Sequence, residues 1–84
     1  MSKEVFIKKF GEFLIENVPY FSDLKSLVYD DTDGEEYLYC NYSSYAQKRI
    51  YIGGDSEYGI MIDFFRYLDK ADWIVPMNKE IYNR

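Results

Sequence analysis

The chain has 84 residues, about half a typical domain, which leaves room for one domain with one modest core and excludes multidomain enzymes and long repeat arrays. An apolar fraction of 48%, with 20% aromatics, sets it apart from disordered chains. Fifteen acids against ten bases give a net charge of −5, which argues against direct binding to nucleic acid or to an anionic membrane face and favours a basic partner.

Ser2 caps a predicted first helix whose apolar side is read as Phe6, Phe10, Phe13 and Leu14, with Asn17. Gly11 inside it costs about 1 kcal/mol relative to Ala. Pro19 pushes Val18 to an extended conformation and ends the helix near Asn17. Ile15 lies opposite the stripe and is expected to be exposed.

Two strands follow, Lys25 to Asp30 and Glu35 to Tyr42, joined by Asp31-Thr32-Asp33-Gly34, where Asp-Gly supplies the positive φ of a hairpin turn. A third strand, Lys48 to Ile52, ends at Gly53-Gly54. Asp55 or Ser56 then caps a second helix from about Glu57 to Ala71. Two apolar stripes share this helix: Tyr58, Met61, Ile62, Phe65 and Leu68, and beside them Ile60, Phe64, Tyr67 and Ala71. Such breadth predicts burial on two sides, between the sheet and the first helix, the alternative being burial on one side with a partner on the other. Trp73-Ile74-Val75 is a short extended segment that docks on the core or adds an edge strand, and Asn78 to Arg84 is at most a frayed terminal turn.

The order is α-β-β-β-α with a C-terminal tail. It predicts a single α+β domain over 1–84, with a three-stranded antiparallel sheet and both helices on one face. The other face is left to water or a partner.

Alternation along the strands puts Leu38, Cys40 and Tyr42 on the helix side, with Ile50 and Ile52, and leaves Tyr37, Tyr39 and Tyr51 on the opposite face. Tyr29 joins them in the simplest register, and a one-residue slip exchanges it for Val28. Tyrosines offer contact area at small entropic cost. Between Ser26 and Gln47 there is no lysine or arginine, whereas Asp30, Asp31, Asp33, Glu35 and Glu36 fall within seven residues. These five acids equal the net charge. Seven extended residues span roughly 23 Å, so the tip approaches the charge density of a strand carrying one phosphate per ~3.4 Å.

Catalytic chemistry finds little support. The chain has no histidine, hence neither the commonest general base nor the commonest metal ligand. Cys40 is alone, which precludes an intramolecular disulfide or a cysteine zinc site and fits a buried, inert thiol. Asp31, Asp33 and Gly34 suit positions three, five and six of a calcium loop, but Tyr29 and Cys40 then occupy its first and twelfth. Gly53-Gly54-Asp55 lacks the lysine and hydroxyl of a phosphate-binding loop. Asn41-Tyr42-Ser43 fits a glycosylation pattern without secretory context. No metal, cofactor or catalytic residue is expected. Lys3, Glu4, Lys8 and Lys9 interrupt the N-terminus before any long apolar run, so a cytoplasmic protein with neither signal peptide nor membrane span is expected. A small-ligand pocket lined by Phe64, Tyr67 and Trp73 is a further possibility.

The element order resembles that of double-stranded RNA-binding domains, which use basic residues opening the second helix; Glu57, Tyr58, Gly59, Ile60 and Met61 supply none. In being small, acidic, tyrosine-rich and without catalytic groups, the chain resembles phage-encoded inhibitors, including anti-CRISPR proteins and other DNA mimics. With the acidic turn and the tyrosine face, this leads to the expectation of a non-enzymatic inhibitor that binds a basic nucleic-acid-binding effector or nuclease through Tyr29, Asp30, Asp31, Asp33, Glu35, Glu36, Tyr37, Tyr39 and Tyr51. The alternatives are an immunity or antitoxin protein against a basic toxin enzyme, and a homodimer or larger structural module in which tyrosine faces meet.

Overall fold

The computed structural model describes residues 2–32, 34–44, 46–71 and 73–74. The chain runs through α1 (Lys3–Asn17), β1 (Leu24–Asp30), β2 (Tyr37–Tyr42), β3 (Gln47–Tyr51), α2 (Glu57–Tyr67) and a two-residue β4 (Trp73–Ile74), with single 3-10 turns at Pro19–Phe21 and Leu68–Lys70. This is the expected α+β order. The sheet is antiparallel, ordered β1-β2-β3-β4, with Trp73 and Ile74 adding the edge strand beyond the three-stranded meander. Val75 and the segment Asn78 to Arg84 lie outside the described residues.

Local signals place the element ends. The Ser2 hydroxyl accepts from the Val5 amide at 3.2 Å, and α1 stops at Asn17 with Val18 extended before Pro19. Gly34 has φ 89° and donates its amide to the Asp31 carbonyl at 3.2 Å, forming the anticipated turn. The Ser56 hydroxyl caps α2 by accepting from Gly59 at 3.0 Å. At the far end α2 tightens after Tyr67 instead of continuing to Ala71. Lys48 Nζ satisfies the Leu68 carbonyl there at 3.2 Å.

The buried side of α1 differs from the expected stripe. It consists of Ile7, Phe10, Gly11 and Leu14; Phe13 is exposed, and Ile15 is half-buried against the core. Gly11 supplies the reason. A Cβ built on it would stand 3.0 Å from both the Leu27 backbone nitrogen and Leu27 Cγ. The bare glycine lets β1 approach, and the helix turns that side inward.

Leu38, Cys40, Ile50 and Ile52 face the helices and bury with Ile7, Leu14, Ile60 and Phe64. Phe10 meets Phe64 edge-on at 5.3 Å and Phe65 at 6.0 Å, so large rings join the two helices. The expected burial of α2 on two sides is not what the fold provides. Both helices lie in one layer on the sheet, so α2 buries Ile60, Phe64 and Leu68 and keeps Phe65, Tyr67 and Tyr58 in water, the last 72% exposed.

A candidate acidic docking surface

Residues paired across adjacent strands share a face of the sheet. Tyr37 pairs with Tyr51, and Tyr39 with Arg49, so these tyrosines stand opposite the helices as anticipated. Tyr29 does not join them. It pairs with Leu38 and faces the helix side, while Val28 pairs with Tyr39. The connection 31–36 has an even number of residues, and that parity puts Tyr29 in phase with Leu38.

The three tyrosines form a ladder with unequal access. Tyr37 lies between Tyr39 and Tyr51 at ring distances of 6.3 and 6.2 Å, and the Arg49 guanidinium sits 4.6 Å over its ring. Tyr51 is 56% exposed and Tyr37 half-buried, whereas Tyr39 is only 7% exposed. Further along this face Asn41 and Gln47 are fully buried and bonded to each other at 2.7 Å. The presented part of the face is therefore its Tyr37–Tyr51 end.

The acids of the turn do not all project outward. Asp30 is 5% exposed and accepts from the Thr32 hydroxyl at 3.1 Å. Glu36 turns back to accept from Tyr29 Oη at 2.7 Å and to pair with Lys3 Nζ. Asp31 and Glu35 are exposed, and Asp33 lies outside the described residues.

Lys3 Nζ also bonds Asp55 at 2.9 Å. One ammonium thus joins carboxylates from two separate connections, the β1–β2 turn and the β3–α2 loop. Asp55, followed by exposed Glu57, is the part of the site that sequence reasoning missed. Antiparallel pairing already contains the signal, because β3 runs back to the end where β2 begins. Asp63 holds the loop in place by accepting from the Gly53 and Gly54 amides at 3.0 and 3.1 Å.

These contacts shift the ionisation of the groups involved. Hydrogen bonding to Lys3 and then to Tyr29 holds the Glu36 carboxyl below its ordinary range. The Glu36 bond, followed by burial, pushes the Tyr29 phenol up to about 12, and Glu36 also raises the Lys3 ammonium. Burial pushes the Cys40 thiol up to about 12.

Of the residues considered for a small-ligand pocket, Phe64 is fully buried, whereas Tyr67 and Trp73 are exposed, Trp73 packing on Tyr42 at 5.3 Å beneath Lys48. A groove of about 380 Å³ lies between α1 and β1, lined by Val5, Lys8, Leu27 and Val28 among others. Among the described residues no group of three or more cysteines or acids is positioned to hold a metal ion, and no helix is long and apolar enough to cross a membrane. No known protein family, curated protein or solved structure matches this chain.

Proposed function

We propose that this chain is a non-enzymatic inhibitor that binds a basic, nucleic-acid-handling protein, in the manner of phage anti-defence proteins and DNA mimics. Its carboxylates stand in for phosphates at one end of the fold. The observation that carries this reading is the bridge from Lys3 to both Glu36 and Asp55, which gathers acids from two connections beside exposed Asp31, Glu35 and Glu57. Tyr37 and Tyr51, in the strand positions next to this end, add contact area for slow dissociation, while the acids steer association. Such a partner is met in the cytoplasm, and a lone buried thiol requires no oxidising compartment.

The test is retention of proteins from a cell lysate on the immobilised chain, compared with the variant Glu35→Gln/Asp55→Asn/Glu57→Gln. The wild type retains nucleic-acid-binding proteins that salt releases. The variant, with an unchanged circular dichroism spectrum, loses them. Equal retention by both proteins removes the proposal.

A further inference from the structure

Both helices begin at the acidic end, where Lys3 meets Asp55, and both run away from it. Its fifteen residues carry α1 about 22 Å to the opposite end of the fold, where the chain that follows it meets the end of α2. A groove of about 340 Å³ opens there, lined by Tyr20, Phe21, Phe65, Leu68 and Asp69. Phe21 and Leu68 are buried and form its floor, while Tyr20 is 70% and Phe65 57% exposed. The rings stand in series, Tyr20 on Phe21 at 5.0 Å, Phe21 on Phe64 at 5.8 Å and Phe64 on Phe65 at 5.1 Å. Buried rings thus hold the two exposed ones in place.

The electrostatics of this groove are one-sided. Both helices turn their negative C-terminal ends towards it, and the last turn of α1 carries no basic residue. Asp69 is exposed at the rim and engages no cation among the described residues. The faces of aromatic rings are themselves negative. Elsewhere the chain fills such positions from within: Lys48 lies 4.9 Å over Trp73 while bonding the Leu68 carbonyl, Arg49 lies 4.6 Å over Tyr37, and Arg66 lies 6.0 Å over Tyr67. No lysine or arginine lines the groove.

We propose that this groove binds an arginine side chain of a partner protein, with the guanidinium against Tyr20 and Phe65 and forked onto the Asp69 carboxylate. A planar guanidinium uses every feature of the site, because it stacks on rings and offers a carboxylate two parallel N–H groups, whereas an ammonium is a point charge. The site lies at the far end of both helices from Lys3 and stands independently of the acidic docking end.

Titration of the isotope-labelled chain with N-acetyl-arginine methylamide, followed by NMR at physiological salt, tests the site. The backbone amides of Tyr20, Phe65 and Asp69 shift with a dissociation constant on the order of 1 mM. The variant Glu35→Gln/Asp55→Asn/Glu57→Gln gives the same value within about twofold, which separates this groove from the acidic end. The citrulline analogue, alike in shape but uncharged, leaves these amides unmoved. Asp69→Asn and Tyr20→Ala each weaken binding about tenfold, and Tyr20→Phe retains it because the ring, not the hydroxyl, is used. The proposal is overturned if these amides do not shift, if citrulline binds as well, if the lysine analogue or tetramethylammonium binds more tightly, or if Asp69→Asn changes nothing.

Discussion

Tyr29 closes the first hairpin by donating its hydroxyl to Glu36 at 2.7 Å. The bond links the stability of the acidic end to pH in two directions. Because the phenol is raised from 10.0 to about 12, its contribution is complete below pH 10 and is lost as pH rises through about 12. Glu36 is lowered from 4.5, so its contribution is complete above that value and disappears as pH falls through the lowered one. Both groups are partly exposed and solvent screens them, so each effect is on the order of 0.5 kcal/mol. Urea denaturation across pH shows the acid limb, and Glu36→Gln flattens it.

Replacing Gly11 by Ala tests the approach of α1 to β1. Intrinsic propensity favours Ala by about 1 kcal/mol. The new Cβ, however, meets the Leu27 backbone at 3.0 Å, and overpacking of this kind costs ~1–3 kcal/mol. The expected net result is destabilisation by about 1 kcal/mol, read from the denaturation midpoint. An increase in stability would contradict the packing described.

Neighbouring phenylalanines of α2 separate its two sides. Phe64 is fully buried among Phe10 and Phe21, so Phe64→Ala costs ~3–5 kcal/mol. Phe65 touches Phe10 and Phe64 from the water side, so Phe65→Ala costs about 1 kcal/mol. Thermal melts of the two variants check this order.

Cys40 is fully buried with its thiol held protonated at neutral pH. A thiol-specific reagent therefore leaves the native protein unmodified and labels it fully in denaturant. Rapid labelling in the native state would contradict the burial.

The legible parts of the sequence were those whose chemistry is local. Ser2 and Ser56 announce helix starts, and Asp33-Gly34 announces a turn, because capping and positive φ depend on a few adjacent residues. The phase of Tyr29 was legible and the expectation chose the wrong one, since the predicted four-residue turn and the observed connection 31–36 are both even and place Tyr29 on the face of Leu38. Ile7 displaced Phe13 from the core for a tertiary reason, the fit of Gly11 on Leu27. For the candidate site, the acid surplus and the alternation of Tyr37, Tyr39 and Tyr51 could be read directly. The burial of Asp30 and Tyr39 and the recruitment of Asp55 by Lys3 depend on contacts between distant segments.

The proposed role of the carboxylates gathered by Lys3 is to occupy a partner's site made for phosphates. Its most direct test is the affinity of this chain for a captured partner, measured with increasing duplex DNA at fixed salt. Simple competition is the predicted result, with the apparent dissociation constant rising in proportion to the DNA added. An affinity unchanged by saturating DNA would contradict it.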